Sequence, residues 1–412
     1  MARILLSAYA CEPGRGSEPG VGWSWAAELA RQGHRVTVVT RCDNRLPIER
    51  EQPASTSNLK FIYYDLPQWV QHCRRYPGGK PLYYVLWQYF VVRHLRRMFP
   101  SLPFDVMQHV TYVSARFPSF LGSLGLPFLF GPVSGGESVP PPLRSGFSIR
   151  QRARERLRDL SNWLVSFDPL MCRTFRQAER ILVTRDTFPL VRRCWRPRAA
   201  IRLAIALADP VPERTGPKRR RHPSDLHLLY VGRLLEWKGL AIALHAVSRL
   251  RQSHPETRFT IVGQGPAKPK LVELTRKLDL ERTVRWLDWL PQRALAEHYR
   301  EADLLLYPSL RDSGGMVVLE ALSHGLPVVC TDLGGPGIIV NSTCGRAVAT
   351  SSRTPDLLAE DIAAALHEIA SVPNRLESLS YGATVRARNF SLQKLVQSVY
   401  PSPRSDHLIR EA

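Results

Sequence analysis

The chain has 412 residues, 44% of them hydrophobic and 23% charged, and a net charge of +21. Such a composition excludes a disordered or fibrous protein, and the length allows two domains, each with its own core. Seven scattered cysteines, none in a Cys-x-x-Cys pair, exclude a zinc or disulfide framework and imply a reducing compartment.

Residues 4–8 read as a first strand, entered without the apolar region of a signal peptide. A long loop over residues 9–22 carries Gly14, Gly16, Gly20 and Gly22. A helical pattern follows over residues 23–32, then Gly33 and a second strand at 36–39. Strand, glycine-rich loop, helix and strand open a Rossmann-like domain. No G-x-G-x-x-G stands in the position NAD requires, which disfavours a dehydrogenase. Residues 80–99, KPLYYVLWQYFVVRHLRRMF, are rich in aromatics and end in Arg93, Arg96 and Arg97. They suit either a helix lying at a lipid surface or a helix buried against the sheet, its basic end snorkelling.

Residues 104–110 form a strand with a polar tip that contains His109. The next strand, 127–130, runs into Gly131-Pro132-Val133-Ser134-Gly135-Gly136-Glu137. Small residues at a strand's carboxyl end are where open α/β sheets build crevices. An arginine-rich helix is expected over 150–164, and a last regular strand of this domain at 181–184. Residues 209–223, rich in proline and charge, read as a linker. From Arg144 to His222 there are twenty Lys and Arg against seven Asp and Glu. That block could attract an anionic substrate, anionic lipid or nucleic acid, or it could be arginine-rich composition on solvated faces. No nucleic-acid motif accompanies it. No stretch reaches the ~20 apolar residues of a spanning helix, so a cytoplasmic protein is expected.

The second half alternates cleanly. Strands at 226–231, 259–262, 284–287 and 304–307 are separated by helices at 240–251, 268–278 and 292–301, which argues for a parallel sheet wrapped by helices. After the first of these strands, Arg233 and Lys238 share one loop and can clamp a diphosphate as a fork and a point charge. Gly263-Gln264-Gly265 ends the second. After the fourth, the loop Arg311-Asp312-Ser313-Gly314-Gly315 leads into a helix at 317–322, followed by Gly325 and a strand at 328–330. Gly314 and Gly315 leave backbone N–H groups bare at a helix N-terminus, a setting that suits a phosphate. Glu320 lies roughly 7.5 Å further up the helix, within reach of a ribose.

These residues resemble the donor signature of the family 4 (group 1) glycosyltransferases. Residues 232–239 match its G-R-L-x-x-x-K-G motif without departure. Asp312 and Glu320 stand at the two positions of its Glu-x7-Glu motif, with Asp a departure at the first, and residues 321–329 match A-x-x-x-G-x-P-V-V. The resemblance implies the GT-B fold: α/β, two Rossmann-like domains facing across a cleft, with C-terminal helices crossing back to the first. Domains are expected at 1–208 (acceptor side) and 225–380 (donor side), joined by a 209–224 linker and followed by a returning segment at 381–412.

The resemblance further implies that Arg233, Lys238, Asp312 and Glu320 act at the reaction centre, with His109 beside the transferred sugar. Donor contacts are implied for Gly263, Gln264, Gly265, Ser313, Gly314, Gly315 and Met316. Counting back from Gly33-His34 places Gly16 and Ser17 at the family's Gly-Gly pair, with Ser a departure. Ser134, Gly135 and Gly136 would line the acceptor side. The implied reaction is retaining transfer of a sugar from a nucleotide-diphosphate sugar to a saccharide acceptor, expected to be lipid-linked, in envelope polysaccharide synthesis. Fixed positive charge at the departing diphosphate is the largest service such a protein offers. The chain has no Asp-x-Asp, so no metal is expected. No cofactor is expected beyond the sugar nucleotide, nor a specific nucleic-acid partner; an anionic membrane surface is a candidate partner. Two alternatives stand beside this reading: a non-transferring enzyme of the same fold, such as an epimerase, and a basic membrane- or nucleic-acid-binding protein. The second leaves Arg233, Lys238 and Glu320 without a task.

Overall fold

A computed structural model describes residues 1–51, 58–208 and 226–400. The expected linker at 209–224 lies outside the described residues, as does 401–412. Two compact units are present. The first holds residues 1–136, 159–205 and the segment from Leu392; the second holds 137–158 and 206–391.

The first unit is built on a seven-stranded sheet: β1 (Arg3–Ala8), β2 (Arg35–Thr40), β3 (Leu59–Tyr63), β4 (Val106–Thr111), β5 (Phe128–Val133), β6 (Arg180–Val183) and β7 (Ala199–Ile201). The order is β3-β2-β1-β4-β5-β6-β7, and every pair is parallel. Its strands are apolar runs because both faces are covered. One face carries Trp25, Leu29 and Val396, the other Tyr83, Trp87, Val91 and Leu95. The last four recur every fourth residue along the helix Gly79–Met98. That stripe settles residues 80–99 as a helix packed on the sheet.

The helix after β1 begins at Glu18 rather than at 23, and Gly20 and Gly22 lie inside it. Its Glu18 carboxylate accepts a 2.6 Å hydrogen bond from the Val113 N–H. Gly22 serves close approach rather than turning: a Cβ there would sit 2.1 Å from the Ala10 carbonyl oxygen. At the far end of the chain, the helix Leu392–Val399 buries Val396 and Val399 in this unit. The Tyr400 hydroxyl donates to Gln108 Oε1 at 2.8 Å. The helix Arg375–Ala387 stays with the second unit, its Arg386 donating to the Ile338 and Ile339 carbonyls. The return therefore starts at Leu392, later than the expected 381.

The second unit contains β8 (His227–Val231), β9 (Arg258–Val262), β10 (Val284–Leu287), β11 (Leu304–Tyr307), β12 (Val328–Thr331) and β13 (Gly345–Val348), in the order β10-β9-β8-β11-β12-β13, all parallel. The strand order reverses between β8 and β11. Open α/β sheets bind ligands at such a switch point, outside the carboxyl ends of the strands. The loops after β8 and β11 are the two that carry Arg233, Lys238 and Asp312. Among the described residues, no helix is long and apolar enough to cross a membrane.

Candidate functional site

In the second unit the two switch-point loops are joined through their charged residues. Lys238 Nζ lies 2.7 Å from Asp312 Oδ2 and 2.7 Å from the Tyr307 hydroxyl, which donates to the same Oδ2 at 2.6 Å. The other oxygen, Oδ1, accepts from the Gly314 and Gly315 N–H groups at 3.1 and 3.0 Å. The N-terminus of the helix Met316–Ser323 is thus not bare, as its two glycines suggest, but faces the Asp312 carboxylate, four residues before Met316. Burial pushes the Asp312 carboxyl up, yet Lys238, the Tyr307 hydroxyl and the Gly315 N–H outweigh it and hold the group below its ordinary value. The Lys238 ammonium, the Tyr307 hydroxyl and the two N–H groups thus converge on the protein's own carboxylate, an arrangement that suits an anion.

Glu320 sits on the same helix, partly buried. Burial raises its carboxyl above the ordinary range, while a 2.9 Å hydrogen bond from the Tyr299 hydroxyl to Oε2 opposes that shift. Tyr299 and Tyr307, which orient the two carboxylates, escaped the sequence reading. Both are buried, and a tyrosine on an apolar strand or helix face reads as core. Arg233 is exposed, and no acidic side chain pairs with it among the described residues. Gly263-Gln264-Gly265 backs the Arg233 loop: the Leu234 N–H donates to the Gln264 carbonyl at 2.9 Å. Ser313 lies in the capped loop, and Met316, partly exposed, opens the helix.

For the ligand class the sequence resemblance implies, Glu320→Gln is expected to weaken a nucleoside diphosphate and its sugar form alike by roughly tenfold, the scale of one charge-assisted hydrogen bond. Asp312→Asn, which removes a competing charge from the anion site, should leave diphosphate affinity equal or higher and weaken mainly the sugar form. Calorimetric titration of both variants with both ligands separates the two roles, and equal losses throughout would contradict them.

The first unit holds the remaining candidates. Ser17 is exposed and adopts φ 66°, ψ −152°, a region that glycine occupies freely and other residues only under strain. Gly16 beside it faces open space. Ser134, Gly135 and Gly136 are buried, and their polar groups are used within the unit. Ser134 Oγ donates to the Val113 carbonyl at 3.0 Å, and the Gly136 N–H donates to Thr187 Oγ1 at 3.0 Å. The Gly135 carbonyl accepts from Arg116.

His109 differs most from expectation. It lies inside β4, in register with Ser7 and Phe130, and has no exposed surface. The strand runs on to Thr111, so His109 is a core position rather than an open strand tip. Its Nε2–H donates to the Tyr112 carbonyl at 3.2 Å, and Nδ1 has no hydrogen-bond partner. Burial holds the imidazole down at about 4. The folded ring stays neutral while the unfolded one charges below its ordinary value, so stability is lost as pH falls from about 6.5 toward 4, at about 1.4 kcal/mol per pH unit. Urea unfolding at pH 7 and 4.5 should show this acid sensitivity reduced in His109→Phe; an unchanged difference would remove His109 as its source.

Among the described residues no group of three or more His, Cys, Asp or Glu side chains is placed to hold a metal. Both units are doubly wound and parallel, and the second carries the Lys238–Asp312 pair and the partly buried Glu320 at its switch point. Residues 214–383 match the glycosyl transferases of group 1.

D-inositol 3-phosphate glycosyltransferase of Rhodococcus erythropolis is 31% identical over 189 residues, covering 44% of this chain and 42% of that protein. A glycogen synthase of Mycobacterium tuberculosis is 34% identical over 166 residues, covering 39% and 40%. The chain thus spans less than half the length of these curated relatives. Among solved structures, sucrose-phosphate synthase of Thermosynechococcus elongatus has a TM-score of 0.60 at 16% identity, covering 97% of this chain and 98% of that one. WaaG, a glycosyltransferase involved in lipopolysaccharide biosynthesis, has a TM-score of 0.56 at 18% identity, covering 96% and 98%. These likenesses show the GT-B fold.

Proposed function

We propose that this chain transfers a sugar from a nucleotide-diphosphate sugar to a hydroxyl acceptor, with retention of anomeric configuration and without a metal. The observation that carries the reading is the Lys238–Asp312–Gly315 cluster at the switch point of the second unit, with Glu320 further along the same helix. In the reaction the sugar C1–O bond to the diphosphate breaks, and negative charge grows on the leaving oxygen. Lys238, Arg233 and the N–H groups of Gly314 and Gly315 stabilise that charge, and Glu320 holds the ribose. The acceptor oxygen bonds to C1 on the face the diphosphate leaves, and its proton passes to a phosphate oxygen. The test is a thermal-shift panel of nucleoside diphosphates and their sugars, followed by acceptor-dependent release of the diphosphate. Release without any acceptor would favour a non-transferring enzyme.

A lipid-linked saccharide, used at an anionic membrane surface from the cytoplasmic side, is the acceptor class this reading favours. Support comes from the first unit, where Leu160, Trp163, Leu164, Phe167 and Leu170 are exposed and the Arg192 guanidinium lies 5.6 Å from the Phe167 ring centre. An apolar, aromatic face beside arginines suits an anionic bilayer, each basic residue adding about 1 kcal/mol. Vesicle flotation at low and high salt tests it; indifference to anionic vesicles at low salt would remove the lipid.

A further inference from the structure

A second charged pair lies directly behind the first. Arg311 precedes Asp312 in the chain and Trp237 precedes Lys238, and the Arg311 guanidinium lies 4.3 Å from the Trp237 ring centre. Beneath it the loops share a backbone hydrogen bond, from the Leu310 N–H to the Trp237 carbonyl at 2.9 Å. Arg311 is ion-paired with Glu155, whose side chain has no exposed surface. Glu155 comes from a distant part of the sequence, the helix Ile149–Val165. Gln151 steadies the same oxygen, Oε1, at 2.8 Å. One turn earlier, the Ser148 N–H donates to Glu236 Oε2 at 2.8 Å, so residues 148–155 grip both sides of the loop pair.

A buried carboxylate with one oxygen lacking any partner is costly to keep for stability alone, because well-packed apolar residues commonly replace such pairs without loss. Its effect here is geometric. With Arg311 drawn toward Glu155 and stacked on Trp237, the next residue of each loop is brought to its partner, and Lys238 meets Asp312 at 2.7 Å. The geometry points to Glu155 as a positioning residue for sugar transfer. Through Arg311 and Trp237 it sets the separation of the two loops, and so the place of the Lys238 ammonium at the donor diphosphate. This inference rests on the transfer reading for its kinetic consequence, but not for its structural one.

The experiment therefore has two readouts on the full chain. The first is the rate of reductive methylation of Lys238, followed by mass spectrometry, which needs no substrate. In the wild type the ammonium is shielded by Asp312 and Tyr307; Glu155→Gln should raise its labelling about fivefold, as loosened supports expose it. The second is steady-state kinetics with the sugar nucleotide found by the ligand panel. Glu155→Gln should lower kcat about tenfold and move the donor KM less than about threefold, because the misplaced cation acts on the leaving group. In a Lys238→Ala background the same substitution should cost less than about twofold, since the group it positions is gone.

Glu155→Leu combined with Arg311→Met removes both charges at once. This double variant should keep thermal stability near the wild type while retaining fast labelling and low kcat, and it replaces the single variant should that one fail to fold. Unchanged Lys238 labelling would overturn the proposal. So would an equal kinetic penalty with and without Lys238, which marks a merely structural residue. If the wild type turns over no sugar nucleotide, the transfer reading fails, and labelling alone decides the role of Glu155.

Discussion

Lys238→Ala is expected to lower kcat about a hundredfold under saturating donor while the fold persists. The diphosphate gains its charge as the C1–O bond lengthens, so a fixed ammonium there stabilises the transition state more than the bound donor. Such a group contributes on the order of 3 kcal/mol, which corresponds to that factor in rate. The fold survives because the Asp312 carboxylate keeps its other partners, the Tyr307 hydroxyl and the Gly314 and Gly315 N–H groups. Purified variant and wild type are compared by circular dichroism and by initial rates. A loss smaller than about threefold would sink the assignment, since a cation at the leaving group cannot be that cheap to remove.

Gly239→Ala should have the largest effect on stability and should abolish donor binding with it. Gly239 caps the loop carrying Arg233 and Lys238 at φ +72°, and a Cβ there would lie 2.0 Å from the Pro308 carbonyl oxygen. Pro308 follows β11 on the facing loop, so an added methyl group forces apart the two loops that form the anion site. Left-handed backbone costs alanine about 1 kcal/mol, and the steric overlap should bring the total to about 3 kcal/mol or more. For units of this size the melting temperature falls by about 6 °C or more. Gly14→Ala is the control, for φ is +66° there too but no atom stands within 4 Å of the added carbon. Similar melting shifts for the two variants would show that backbone angle, not loop contact, decides.

The second unit was legible because its strands are buried on both faces and bounded by glycine or proline, so apolar runs alone locate them. The helix at 292–301 emerged with the bounds read from the sequence. In the first unit, residues 80–99 left two readings open, because hydrophobicity alone does not say what a stripe packs against. Tyr83, Trp87, Val91 and Leu95 decide it only once the sheet is present. The early start of the helix at Glu18 was hidden by Gly20 and Gly22, whose role is proximity to another segment and leaves no local trace. At the site, charged residues with spaced glycines were visible, and the contacts joining them were not. Lys238 and Asp312 stand 74 positions apart, and Arg311 and Glu155 156 apart. Such pairings belong to topology and have no periodicity to betray them.

The carboxylate of Asp312 has a meaning beyond the residues it touches. Being tethered to the loop, it faces the helix N-terminus at an effective concentration of the order of millimolar or higher, whatever the solution contains. Inorganic phosphate, sulfate and chloride must compete with an anion that never diffuses away, and each brings only one point of attachment. A sugar nucleotide brings a diphosphate and a ribose together, and on the proposed function the Glu320 grip on the second compensates for evicting the resident charge. On the proposed function, Asp312 is thus a built-in competitor that favours ligands with two handles.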